Sequence, residues 1–374
     1  MKLSLHGRVG AVALAGVLAL TLTACGTDNN TDTPAATEGA TDDATVPAAT
    51  LSGTLNGGGS SAQEKAQQAW IAGFQTANPD STVNYTTTDS GAGRKGFLDA
   101  SLDYAGSDSA LDDDEFAAAA DRCFGGSALD LPVYISPIAV AFNIDGVSEL
   151  NMSADVVAKV FSGAITTWDD AAITALNPDA TLSGPITVVH RSDDSGTSKN
   201  FQDYLSKTAP DAWTYEVSNT WPVSVGQGAN GTSGVVQTIQ AATGTIGYAD
   251  ASAVGSLGKV ALGVGDEFNA PTAEGAAATV DASPQTTDRA DGDIVISVDR
   301  TTTAPGAYPA ILVSYLVVCN TYDSQDKADL VKGYASYVAS AEGQTSAGTA
   351  AGSAPISDEL RTAVVAAIDS ITTK

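Results

Sequence analysis

Three clusters of serine and glycine in this sequence stand where an extended segment gives way to a helical pattern, and each could offer hydroxyl and amide donors to a small anion. They are Gly57-Gly58-Gly59-Ser60-Ser61, Ser90-Gly91-Ala92-Gly93 and Ser195-Gly196-Thr197-Ser198. A helix N-terminus carries unpaired N–H groups and about half a positive charge, and glycine lets a ligand approach the backbone closely. Any one cluster is equally an ordinary cap or turn. Three of them, one beside the isolated cation Arg191, together point to an oxyanion site. None has the Gly-x-x-x-x-Gly-Lys-Ser/Thr spacing of a nucleotide-binding loop.

Asp108 ends the strand-like stretch 102–107 and brings a carboxylate among these donors. It fits if the ligand carries a proton, because a carboxylate accepts a hydrogen bond from the P–OH of phosphate and can accept none from fully ionised sulfate. A site that depends on one ligand hydrogen bond can reject an analogue lacking it by about 10⁴ to 10⁵. The alternative is that Asp108 caps a helix over 111–120.

These groups need strands and helices to hold them. Behind the first cluster, 63–76 reads as a helix with Ala66, Trp70, Phe74 and Ala77 on one face and Asn78-Pro79 as its stop. The second cluster follows the strand-like 82–85 and leads into Phe97, Leu98 and Leu102. The third follows 186–189 and opens a helix carrying Phe201, Tyr204 and Leu205. Regular alternation of the two kinds of segment makes the class α/β. The roughly 324 residues from 51 onward exceed one comfortable core and suggest two lobes. The apolar runs 131–144 and 307–318 read as the crossings between them, giving 51–133 with 306–374 as lobe 1 and 134–305 as lobe 2.

At the N-terminus, Lys2 and Arg8 precede an uncharged apolar run over 9–22, the pattern of a secretory signal occupying residues 1–24. At about 14 residues the run is too short for a spanning helix. Leu22-Thr23-Ala24-Cys25 resembles a bacterial lipobox, which predicts lipidation of Cys25. The segment 25–50 is otherwise Thr, Ala, Asp and Pro, the composition of a disordered tether. Cys123 and Cys319 remain; in an oxidising compartment such a pair forms a disulfide by default, two separate buried thiols being the alternative.

The formal charge of −27 excludes nucleic acid as a partner. It does not exclude an anionic ligand, because a Debye length of about 8 Å hides distant surface carboxylates from a buried site. His190, the only histidine after the leader, has no Gly-x-Ser-x-Gly elbow with it, which sets aside a Ser-His-Asp hydrolase. No His/Cys cluster has zinc-ligand spacing, and the acidic run 112–115 lacks the calcium-loop pattern and reads as a first helical turn. Gly226, Gly228, Gly231 and Gly234 read as a turn opening a helix at Val235, with 231–233 available to line a cleft. No catalytic group, cofactor or metal is expected.

At these residues the chain resembles the phosphate-binding lipoprotein of the bacterial high-affinity phosphate ABC transporter, over nearly all of the region after the tether. The stretches that carry the resemblance are 55–61, 103–108, 162–168, 173–178, 191–198 and 244–248, of which Arg191-Ser192-Asp193-Asp194-Ser195-Gly196-Thr197-Ser198 is the most specific. The resemblance implies a two-lobed, hinged periplasmic-binding-protein-like (type II) fold, each lobe a mixed sheet flanked by helices, that closes around dehydrated phosphate. It implies that Ser60 gives its hydroxyl and N–H, Ser61 an N–H, Ser90 a hydroxyl, and that Asp108 accepts the phosphate proton. Arg191 supplies the charge, Ser195, Gly196 and Thr197 further donors, and Asp193 steadies Arg191. Its implied partners are inorganic phosphate, the permease subunits and, through the lipid alone, the membrane; a monomer is expected. The sequence departs from the family pattern at Ser60-Ser61, where many relatives have Thr-Phe, and at Asp89 and Asp194, where relatives often carry Gly. The rival readings are a receptor for another oxyanion or small solute, and a surface lipoprotein without a transport role.

Overall fold

The computed structural model describes residues 51–374; the signal, Cys25 and the tether lie outside the described residues. In chain order the strands of the main sheet are β1 (Gly53–Gly59), β2 (Ser81–Thr87), β3 (Tyr104–Ser107), β4 (Ala128–Asn143), β5 (Glu149–Met152), β6 (Thr187–Arg191), β7 (Gln227–Ala229), β8 (Thr245–Asp250), β9 (Gly258–Val264), β10 (Glu267–Asn269) and β11 (Ile311–Cys319), and Thr321–Tyr322 and Thr372–Thr373 pair as a separate two-stranded sheet. The helices that matter for the site are α1 (Glu64–Ala77), α2 (Ser90–Leu98), α3 (Asp113–Arg122), α4 (Ala154–Phe161), α5 (Ala171–Thr174), α6 (Gly196–Thr208) and α7 (Gly231–Ala241).

The strands form one mixed sheet of eleven, ordered β2-β1-β3-β11-β4-β8-β6-β7, with β9 also on β4 and carrying β5 and β10. At one end β1 runs parallel to β2 and β3, and at the other β6 runs parallel to β7 and β8. Between them β4 pairs antiparallel with β11 along 128–137 and with β8 along 138–143. It is covered on both faces, every residue from Ala128 to Phe142 being buried, which is why it reads as a continuous apolar run and not as an alternation. Pro137 falls where the ladder changes partner, a position that tolerates a missing N–H.

The predicted helices form, with two shifts in detail. Ala66, Trp70 and Phe74 of α1 are buried as the spacing requires, whereas Ala77, in its last turn, is exposed. The helix after the glycine series starts at Gly231 and not at Val235, and Gly231 itself takes a positive φ of 67°, a turn that a side chain disfavours, before the chain enters the right-handed helix. Gly57, Gly58 and Gly59 are part of strand β1 and not of a loop. A Cβ on Gly57 would lie 2.1 Å from the Tyr104 ring, so glycine is what lets that ring pack across the strand. A buried aromatic group of Phe161, Phe201 and Tyr248 fixes α4 and α6 against β8, with the Phe201 and Tyr248 rings stacked 4.5 Å apart. Cys123, at the end of α3, and Cys319, at the end of β11, form a disulfide.

Candidate functional site

Strand β1 ends at Gly59 and delivers Ser60 beside β3; the Ser60 N–H donates to the Gly106 carbonyl at 2.8 Å. That bond belongs to the junction of β1 and β3, so the backbone donor expected of Ser60 is already used, and its contribution is the hydroxyl. The hydroxyl donates to Asp108 Oδ1 at 2.5 Å. Ser61 turns its side chain elsewhere: Ser61 Oγ lies 2.9 Å from Thr232 Oγ1 and accepts the Thr232 N–H at 3.0 Å, at the start of α7.

Ser90 opens α2, whose cap is Asp89, accepting from the Ala92 N–H at 2.7 Å. The Ser90 hydroxyl accepts the Asp108 N–H at 3.1 Å. Asp108 itself caps no helix; Asp112 does so for α3, with Glu115 completing a capping box.

Arg191 ends β6, and its guanidinium is gripped by both Asp193 carboxylate oxygens, Nε to Oδ1 at 2.7 Å and Nη2 to Oδ2. Burial works against the Arg191 charge, but the hydrogen bonds and charge of Asp193, with Tyr248 and Asp108 adding, hold its pKa above the ordinary value. Burial likewise opposes the Asp193 charge, and Arg191 and the Gly231 N–H overcome it and keep the carboxyl below its usual range. Ser195 is the N-cap of α6, accepting the Ser198 N–H at 3.1 Å and keeping its own hydroxyl hydrogen to give. Thr197 Oγ1 donates to Asp108 Oδ2 at 2.9 Å and lies 3.5 Å from Arg191 Nη1.

Ser60, Ser90, Asp108, Arg191, Gly196 and Thr197 therefore form one connected, buried cluster, in which Asp108 is 2% and Arg191 3% exposed. Ser61 joins it less directly, through Thr232 and the adjoining Gly231, whose N–H reaches Asp193 Oδ1 at 3.3 Å. Three helices, α2, α6 and α7, begin at this cluster. Asp89 is half-buried nearby; burial first, then Asp193 and Asp194, push its carboxyl up. Hydroxyls, helix-start amides and one guanidinium around a single carboxylate can hold a small oxyanion that also donates one hydrogen bond.

Sequence patterns did not flag Ser314, which donates to Asp108 Oδ1 at 2.6 Å, nor Gln63, which donates to Ser314 at 2.6 Å. The available signal was a single serine inside the otherwise large-residue, mostly apolar strand β11. His190 stacks on Trp221, ring centroids 5.4 Å apart, with Nδ1 at 2.9 Å from the Arg191 carbonyl. Among the described residues no group of three His, Cys, Asp or Glu side chains could hold a metal ion, and no helix is long and apolar enough to cross a membrane.

The family profile of the PBP superfamily domain matches residues 44–342. The phosphate-binding protein PstS 3 of Mycobacterium tuberculosis is 36% identical over 378 residues, spanning 99% of this chain and 100% of that one. The protein of the same name from Mycobacterium leprae is 33% identical, over 89% of this chain and 90% of that one. Among solved structures, a high affinity periplasmic phosphate-binding protein (PfluDING) bound with phosphate matches with a TM-score of 0.70 at 22% identity, covering 84% of this chain and 93% of that one. The phosphate-binding protein from Stenotrophomonas maltophilia matches with a TM-score of 0.68 at 20% identity and the same coverage, 84% and 93%. At such identities the structural likeness speaks for the fold, a mixed α/β sheet flanked by helices, while the profile and the full-length relatives speak for descent. The chain belongs to the phosphate-binding protein (PstS) family of the PBP superfamily.

Proposed function

We propose that the protein captures inorganic phosphate outside the cytoplasm and hands it to the permease subunits of an ABC transporter, as a binding protein and not as an enzyme. The observation that carries this is Asp108: a buried carboxylate surrounded by the hydroxyls of Ser60, Ser314 and Thr197, at the meeting point of the serine and glycine clusters. Ser90 and Ser195 donate hydroxyl hydrogens, the hydroxyls of Ser60 and Thr197 rotate theirs from Asp108 to the ligand, Ser61, Gly196 and Thr197 donate amides, and Arg191, steadied by Asp193, supplies the charge. Asp108 accepts the hydrogen of the P–OH group, which sulfate cannot offer.

In this reading 51–133 with 306–374 form one lobe and 134–305 the other, and β4 and β11 carry the hinge. Donors from both lobes meet on the ligand, so binding favours the closed form and gives the permease a shape to recognise. Residues 1–24 act as the signal, a lipid on Cys25 anchors the chain at the outer face of the cell membrane, and 26–50 is the tether to a monomeric receptor. The test is phosphate carried through purification, measured by acid release and colorimetric assay, followed by titration of stripped protein. One phosphate bound per chain is expected; no bound phosphate and no heat on titration would reject the function.

A further inference from the structure

Asn200 and Arg300 belong to none of the clusters that suggested the site, yet they join its two sides. Asn200 lies one turn after Gly196 on α6. Its Nδ2 donates to the main-chain carbonyl of Asp108 at 2.6 Å and to that of Gly196 at 3.0 Å. Its Oδ1 accepts from Arg300 Nη2 at 2.5 Å. A guanidinium can only donate, so Arg300 forces the amide oxygen toward itself and the NH₂ group toward Asp108. Arg300 is 2% exposed and fully engaged, with Nε on Asp203 Oδ2 at 3.0 Å and Nη1 on the carbonyls of Pro309 at 2.9 Å and Ile311 at 2.8 Å.

Gly196, Asn200 and Asp203 fall at i, i+4 and i+7, one face of α6. That face carries the site donors at its start and the Arg300 contact two turns on. Behind the Asp108 segment there is no packed wall. A cavity of about 300 Å³ opens there, lined in part by Asp108, Ser109, Asn200, Asp203, Arg300 and Tyr315. The Asn200 amide is thus the bond that spans from α6 to the Asp108 main chain beside open space.

We infer that Asn200, oriented by Arg300, is a positioning residue that latches the start of α6 to the Asp108 segment and sets how long phosphate stays bound. The inference rests on the phosphate-capture reading. Because the latch bond exists only when the two sides are together, its loss speeds release and leaves encounter with the ligand unchanged. Because it touches neither the Asp108 carboxylate nor Arg191, it leaves the preference between phosphate and sulfate unchanged.

The experiment loads full-length protein with radiolabelled phosphate and follows both association and washout into excess unlabelled phosphate, for wild type, Asn200→Ala and Asn200→Asp. Asn200→Asp keeps an acceptor for Arg300 and removes both donors, so it separates the latch from simple loss of the Arg300 partner; Asn200→Ser replaces Asn200→Ala should the latter fail to fold. Both variants should release phosphate roughly ten- to a hundredfold faster, the cost of leaving buried polar groups unpaired, with association within about twofold of wild type and an unchanged phosphate to sulfate ratio. Wild-type release rates in folded variants would overturn the latch alone. A loss confined to association would do the same. Wild type that binds no labelled phosphate would overturn the functional reading and the latch with it.

Discussion

Gly196 and Asp108 approach so closely that a methyl group on Gly196 would lie 2.8 Å from the Asp108 Cβ. It would also lie 2.8 Å from Ser90 Oγ. The starts of α6 and α2 and the end of β3 therefore converge only because one residue has no side chain. Overpacking of this kind costs about 1–3 kcal/mol. Gly196→Ala should weaken phosphate binding by roughly ten- to a hundredfold, read by isothermal titration; an unchanged dissociation constant would mean that the contact is not part of the bound state.

Arg191 and Asp193 act as one unit. Removing only the cation strands a buried carboxylate, and breaking a buried pair in this way costs about 3–5 kcal/mol. Arg191→Met should lose phosphate binding and lower the melting temperature. Adding Asp193→Asn should restore much of the stability and none of the affinity. A double variant that recovers binding would remove Arg191 from the ligand's side of the pair.

Asp250, at the end of β8 opposite Ile138 of β4, is buried and accepts from the Tyr134 hydroxyl at 3.1 Å. Burial, the largest cause, pushes its carboxyl up to about 6. An unfolded Asp ionises near pH 4, so the folded chain holds this proton about two units longer, worth about 3 kcal/mol at most. That stability is fully present below about pH 4 and is lost as pH rises through about 6. Urea unfolding at stepped pH should therefore show Asp250→Asn gaining on wild type between about pH 4 and 6 and levelling above. A gap that does not vary with pH would show that Asp250 ionises normally in the folded chain.

How much of this was legible in the sequence follows from the range of the contacts. Ser60, Ser90 and 195–197 stood out because a serine or glycine before an amphipathic run is a local pattern, and Asp193 because it lies two residues from the Arg191 it grips. The α/β class and the crossing strand β4 were likewise local, being runs of apolar residues. Ser314, Gln63, Asn200 and Arg300 were silent because their partners are far along the chain: Ser314 meets Asp108 across 206 positions and Arg300 meets Asn200 across 100. The bond the Ser60 N–H makes within the fold was silent for the same reason. Its partner, the Gly106 carbonyl, becomes adjacent only once β1 and β3 pair.

The central claim is that Asp108 selects a ligand bearing a proton. Titrating wild type and Asp108→Asn with phosphate and with sulfate at one ionic strength tests it most directly. Wild type should prefer phosphate by on the order of 10⁴ or more, and Asp108→Asn, which puts an NH₂ donor where the acceptor was, should cut that preference at least about tenfold. Equal affinity of wild type for the two anions, or an Asp108→Asn variant as selective as wild type, would contradict it.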